Sequence, residues 1–271
     1  MQERHKDRKR YFNEQITTVE KHVIPYIKEV MEITPKISVL EIGCGEGGNL
    51  KPFLDLGCER IVGVDLSENK IINAREYLVD HPNKGNLELF YKDIYDMEDL
   101  GQFDLIITRD VLEHIHGQER FMEFMKRFLK PTGKFFQGFP PWQNPFGGHQ
   151  QMCNSKFLSK LPYFHLMPMF MYKGTLKLFK EHPGDIEDLA EIKQTGISIE
   201  RAQRIFKKSN YRIDKKTFFF IQPNYEVKFG LKPRKQWKFF SWIPWVRNFT
   251  MTAGYYILSL EEDNDKKKGR T

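Results

Sequence analysis

Cysteine is scarce in this chain, and its placement suits neither of its common structural uses. Cys44, Cys58 and Cys153 are an odd set with no metal-ligand spacing, which excludes a disulfide framework and a zinc finger and predicts a reducing compartment. No apolar run approaches the ~20 residues needed to span a bilayer, and no apolar h-region opens the sequence, so neither a membrane span nor a secretory signal is expected. The histidines are scattered without a carboxylate cluster at ligand spacing, so no metal site is expected. Internal repeats are absent. These absences together predict a cytoplasmic protein.

What remains is an ordinary globular composition. At 271 residues, with 40% hydrophobic and 29% charged, the chain has enough apolar surface for a full core. The net charge of +7 raises the question of an anionic partner. Much of it comes from two end segments, Arg4 to Arg10 and Lys266 to Arg270, which read as solvated tails, so nucleic acid is not expected as a partner.

Residues 11–31 carry apolar side chains at helical intervals, with a break near Pro25. Strands and helices then alternate. Ile37 to Ile42, Arg60 to Val64, Leu87 to Tyr91, Phe103 to Thr108 and Lys134 to Phe139 read as strands. Glu68 to Val79 and Gln118 to Leu129 read as helices, the second stopped by the turn Lys130 to Gly133. This alternation predicts an α/β fold with a parallel sheet covered on both faces. After Pro140 the rhythm is lost, then resumes with a helix at Ser198 to Lys208 and strands at Tyr211 to Ile221 and Ala253 to Leu260. We read one domain: a helical cap (1–32), a cofactor-binding core (37–140), an acceptor-side insertion (141–196), core completion (197–221 and 251–261) and a second insertion (222–250).

The first strand runs into Gly43-Cys44-Gly45-Glu46-Gly47-Gly48. Gly43, Gly45 and Gly48 satisfy the G-x-G-x-x-G pattern of a nucleotide-binding turn, and Asp65 ends the second strand where a carboxylate can accept ribose hydroxyls. Nicotinamide enzymes share these features. Three others separate the possibilities: Glu41 inside the first strand, Asp93 followed by Ile94 after the third, and the segment Phe103 to Ile115 containing Arg109-Asp110-Val111-Leu112-Glu113-His114.

Together these motifs resemble the class I S-adenosylmethionine-dependent methyltransferases, particularly the small-molecule branch that includes quinone and sugar methyltransferases. The resemblance covers residues 37–140 best. It implies a Rossmann-like, seven-stranded, mostly parallel sheet with an antiparallel last strand and cap insertions. It places Gly43 and Gly45 against the methionine part of the cofactor, with Cys44 between them in the same loop. Glu41 orients that loop or reaches the amino group through water. Asp65 takes the ribose, Leu66 packs on adenine, and Asp93 and Ile94 frame the ring. Arg109, where a small residue is usual, offers its carbonyl to the methionine amine. Structural alternatives stand beside two of these roles: Glu41 pinning the turn, and Asp93 capping a helix.

An oxygen acceptor must lose a proton, and histidine suits that task near neutral pH. His114 follows the fourth strand and His149 sits in Gly147-Gly148-His149-Gln150 after the fifth, both at the carboxyl ends of strands where ligands bind. His114 also reads as a packing or capping residue. The glycines beside His149 permit either close backbone approach to a ligand or a plain turn. Pro140-Pro141-Trp142 is expected to shape the acceptor pocket. The stretch Phe157 to Phe179, rich in Phe, Tyr and Met, lines that pocket or packs on itself. Trp237, Phe239, Phe240, Trp242 and Trp245, interleaved with Lys232, Arg234, Lys235, Lys238 and Arg247, read as a packed insertion with a solvated basic face, or as a peripheral membrane contact. The expected function is methyl transfer from S-adenosyl-L-methionine to a small-molecule acceptor, leaving S-adenosyl-L-homocysteine. The alternatives are a nicotinamide-dependent oxidoreductase and a non-catalytic S-adenosylmethionine-binding module.

Overall fold

A computed structural model describes residues 7–261; Lys266 to Arg270 and the first residues of the Arg4 to Arg10 segment, read above as tails, lie outside them. The chain opens with α1 (Arg8–Thr18), a π-helical turn (Val19–Val23) and α2 (Ile24–Lys28). Pro25 has no N–H to continue the helical ladder, and the widened turn lies immediately before it, with the Ile24 N–H reaching back to the Val19 carbonyl. One face of this segment is core. Phe12, Val23 and Ile27 are buried, and the Tyr26 hydroxyl donates to the Tyr255 carbonyl at 3.0 Å.

The sheet then builds through β1 (Ser38–Ile42), α3 (Lys51–Asp55), β2 (Arg60–Asp65), α4 (Glu68–Tyr77), β3 (Leu87–Tyr91), β4 (Phe103–Arg109), α5 (Gln118–Met125) and β5 (Leu129–Phe139). The first insertion holds α6 (Met169–Leu178) and α7 (Pro183–Thr195), followed by α8 (Ile199–Lys208) and β6 (Tyr211–Ile221). The second holds α9 (Asn224–Phe229), β7 (Arg234–Lys235), α10 (Lys238–Trp242) and α11 (Val246–Phe249), before β8 (Ala253–Leu260) closes the sheet. Strand order is β3-β2-β1-β4-β5-β8-β6-β7. Strands β1 to β5 pair in parallel, and β8 is antiparallel to both β5 and β6.

The central strands β1, β2 and β4 are buried on both faces, as a parallel sheet covered twice requires. On one face Val39, Ile61 and Ile107 pack with Phe12, Ile27, Phe53 and Ile71 from α1 to α4. On the other, Leu40, Val62 and Ile106 pack with Phe121, Met122, Ile205 and Phe206 from α5 and α8.

Two expectations need correction. The sheet has eight strands, not seven: Arg234–Lys235 adds a two-residue edge to β6 from within the second insertion. Residues Lys130 to Gly133 do not stand apart as a turn but form an irregularity within β5, where the register moves from Phe103↔Leu129 to Leu105↔Lys134. The first insertion follows the reading in which it packs on itself: its helices enclose a separate small core of Leu158, Phe164, Tyr172, Leu176, Ile186 and Leu189. Of its Phe and Met residues, Phe164 is part of that core and Met152, Met167 and Met169 pack against it, whereas Phe157, Phe170 and Met171 are exposed.

The second insertion departs from the packed reading at α10, which buries none of its residues. Trp237 is 75% exposed and Trp242 81%.

Candidate active site

Strand β1 delivers its backbone into a turn at the carboxyl edge of the sheet. A Cβ on Gly45 would meet nothing nearer than the Lys70 Cδ at 4.0 Å, so this glycine, at φ +55°, faces open space. Gly48 serves packing instead. A Cβ there would lie 2.6 Å from the Phe12 carbonyl oxygen, so its absence lets α1 cross the loop closely. Gly43 lies under Val111, and the Cys44 side chain is buried beneath the loop near Gly63, so any cofactor contact from Cys44 comes from its backbone.

Asp65 fastens the turn to β2. Its Oδ2 accepts the Gly45 N–H and its Oδ1 the Ser67 N–H, each at 2.8 Å. A carboxylate has about four acceptor positions, so each oxygen keeps a lone pair for a ribose hydroxyl. Beyond it Leu66 is 70% exposed and Ile94 is buried. Asp93 caps the short turn after β3, accepting the Tyr95 N–H at 3.0 Å through one oxygen.

Below the loop runs a buried polar chain. Glu41 accepts from the Asn49 amide at 2.6 Å, Arg109 donates to the Asn49 carbonyl oxygen at 2.8 Å, and Arg109 also donates to Asn224. Burial pushes the Glu41 carboxyl up to about 8, against the pull of the Asn49 hydrogen bond and the Arg109 charge. The Arg109 side chain thus ties the glycine loop to the second insertion. Arg8 closes the chain's entry by pairing with buried Glu46 at 2.6 Å. Asn49 and Asn224 went unnoticed in the sequence because a lone asparagine carries no pattern.

On the other side of the crevice, Asp110 follows β4, and its φ of +56° turns the chain sharply while its N–H bonds the Gly138 carbonyl. The next turn presents Glu113 and His114. Glu113 is only 4% exposed, and neither carboxyl oxygen has a hydrogen-bond partner among the described residues. Burial, reinforced by Asp110, holds its carboxyl well above the usual carboxylate range. The His114 ring lies 4.9 Å from the His149 ring, and its Nε2 is 4.0 Å from Glu113 Oε1. One donor atom each from Glu113, His114 and His149 lie within 4.8 Å of one another. Desolvation lowers the His114 pKa, with Lys70 adding to the effect and Asp110 and Glu191 opposing it. Lys70 therefore lies within electrostatic reach of His114 and packs beside Gly45, so the two halves of the crevice adjoin.

This cluster corrects the expectation that no candidate metal ligands gather. The fold unites residues that the sequence separates. Glu113 was the missed member, although it stands next to His114 in the motif. Of the two readings of the glycines beside His149, the plain turn is the one observed. A Cβ on Gly147 would lie 2.2 Å from the Trp142 carbonyl oxygen, and one on Gly148 2.2 Å from the His165 Cβ. They serve a packed turn that holds His149 at φ +51°, not ligand approach. Trp142 is the anchor of that turn. Its carbonyl bonds His165 Nε2 at 2.8 Å and its ring lies edge-on to His165, so Trp142 supports the His149 loop.

A glycine turn at the carboxyl edge of a parallel sheet, fastened by a carboxylate at the end of the second strand, is a nucleotide-site arrangement. Residues 40–137 match the family model described as a methyltransferase domain, and the chain carries a class I S-adenosylmethionine-dependent methyltransferase domain there. The mitochondrial ubiquinone biosynthesis O-methyltransferase of Dictyostelium discoideum is 26% identical over 109 residues, 37% of this chain and 34% of that protein. The ubiquinone biosynthesis O-methyltransferase of Nitrobacter winogradskyi is 33% identical over 99 residues, 36% of each. The match thus spans about a third of the length of these relatives. Among solved structures, geranyl diphosphate C-methyltransferase from Streptomyces coelicolor A3(2) aligns with a TM-score of 0.55 at 13% identity, covering 86% of this chain and 77% of that one. Magnesium protoporphyrin IX methyltransferase from Synechocystis PCC 6803 aligns at 0.52 and 13% identity, covering 92% and 84%. At such identities the likeness is one of fold.

Proposed function

We propose that the protein transfers the methyl group of S-adenosyl-L-methionine to a hydroxyl of a small-molecule acceptor of glycan, quinone or phenol type. The observation that carries this reading is the open space beside Gly45, bounded by the Asp65 carboxylate, within the matched methyltransferase domain. The sulfonium is already electrophilic, so the protein's main task is alignment of acceptor oxygen, methyl carbon and sulfur. Gly43 and Gly45 flank the methionine part, with Glu41 behind them. Asp65 accepts the ribose hydroxyls, while Leu66, Asp93 and Ile94 form the adenine wall. His149 or His114 takes the acceptor's proton. The test is release of S-adenosyl-L-homocysteine with panels of quinols, phenols and sugar nucleotides. Turnover with one of these classes is the expected result; none with any panel, despite cofactor binding, would contradict the reading.

We also propose peripheral contact with a membrane through the second insertion. Between Glu226 and Glu261 the sequence holds six Lys or Arg and no Asp or Glu. The exposed rings of Trp237, Phe239 and Trp242 stand among Arg234, Lys235 and Lys238, a combination suited to an anionic lipid surface. Co-sedimentation with phosphatidylglycerol vesicles, lost in Trp242→Ser and absent with phosphatidylcholine alone, supports the contact; equal recovery with and without vesicles contradicts it.

A further inference from the structure

We propose that Glu113, His114 and His149 together bind a divalent transition-metal cation, with zinc(II) the best fit to their donor chemistry. The site itself stands on geometry; the role given to it below rests on the methyl-transfer reading.

The first observation is Glu113. A buried carboxyl group is ordinarily given a hydrogen bond or a counter-charge. Here both oxygens are buried without a hydrogen-bond partner among the described residues, and no Lys or Arg among them pairs with Glu113. The second is convergence. His114 comes from the turn after β4 and His149 from the loop after β5, yet the three donor atoms fall within 4.8 Å of one another. The third is the local charge. Asp110 adds a negative field at both Glu113 and His114, opposed at His114 by Lys70.

Two imidazole nitrogens and one carboxylate oxygen suit zinc and its neighbours better than magnesium or calcium, which favour all-oxygen sets. Metal–ligand bonds of about 2.0–2.2 Å would bring the donors to roughly 3–3.5 Å apart. The cluster must therefore draw in by about 1 Å, and the His114 side chain, 41% exposed, has room to move. Three protein ligands leave a coordination position open, the arrangement of catalytic rather than structural zinc.

An acceptor hydroxyl at the open position would become more acidic and release its proton to solvent. Its oxygen would then form the bond to the methyl carbon as the carbon–sulfur bond breaks, with that electron pair remaining on the sulfur of S-adenosyl-L-homocysteine. A ring nitrogen bound to the metal cannot also take the proton. Coordination thus replaces the imidazole as the means of activation in the loaded protein.

The test uses full-length protein stripped with a chelator and titrated with zinc(II), and in parallel with cobalt(II) to read its visible d–d absorption. One-to-one binding at micromolar affinity or tighter is expected, with cobalt bands showing nitrogen and oxygen ligation. His149→Ala and Glu113→Gln should each weaken binding at least tenfold, with thermal unfolding confirming that each variant is folded. No binding by folded wild-type protein would overturn the proposal. So would binding that survives substitution of all three residues, which would place the metal at other ligands such as the buried thiols. Triad-dependent metal binding without any S-adenosyl-L-homocysteine binding would keep the site and remove the methyl-transfer reading.

Discussion

The Gly45 backbone N–H donates to the Asp65 Oδ2 at 2.8 Å, so the residue proposed to take the ribose also shapes the glycine turn proposed to face the methionine part. Asp65→Ala therefore loses two charge-accepted hydroxyl contacts and loosens the loop. S-adenosyl-L-homocysteine affinity should fall by ~2–3 kcal/mol in a calorimetric titration. Unchanged affinity, with circular dichroism intact, would place the ribose elsewhere.

Gly45→Val is the complementary change. Its side chain would occupy the open space beside Lys70, and the left-handed backbone adds about 1–2 kcal/mol of strain. Cofactor binding should disappear while the variant remains folded; retained binding would show that this space is not the ligand's.

Glu41 gives a pH signature in stability. Its folded-state pKa, about 8, lies above the ordinary glutamate value, so the folded state holds a proton that the unfolded chain has already released. The stability from that proton is full below the ordinary range and is lost as pH rises toward 8, at up to about 1.4 kcal/mol per pH unit. Glu41→Gln removes this contribution. Urea midpoints at pH 5, 6.5 and 8 should therefore show the variant gaining on the wild type as pH rises; a constant gap would contradict the assignment.

The core of this fold was legible because its physics is periodic. Strands such as Leu87 to Tyr91 and Ala253 to Leu260 are the observed β3 and β8, residue for residue. The insertions were not legible, because Met169–Leu178 has no clear apolar stripe and its helix is stabilised by packing on α7 within a local core. At the site, the glycine loop and Asp65 carry a recognisable spacing, whereas Asn49, Asn224 and Glu113 act through contacts that only the folded chain creates. The role of the glycines beside His149 stayed open between two readings for a related reason: sequence shows that a position is small, not what presses against it.

His149 separates acceptor chemistry from cofactor binding. His149→Ala should lower turnover by roughly 10²–10⁴-fold while leaving S-adenosyl-L-homocysteine affinity nearly unchanged, since its ring stands 4.9 Å from that of His114, on the proposed acceptor side. His149→Gln should restore little, because an amide neither takes a proton at neutral pH nor replaces an imidazole nitrogen. If His114 carries the role instead, the same split appears in His114→Ala. Loss of cofactor affinity in His149→Ala would contradict the placement of this loop.

The most direct measurement is calorimetric titration of the purified protein with S-adenosyl-L-homocysteine and, separately, with NAD. The glycine turn and Asp65 are features that nicotinamide enzymes share, so only the comparison is decisive. The account predicts one site of micromolar affinity for S-adenosyl-L-homocysteine, about −7 to −8 kcal/mol, and negligible binding of NAD. NAD binding of equal or greater strength would contradict it.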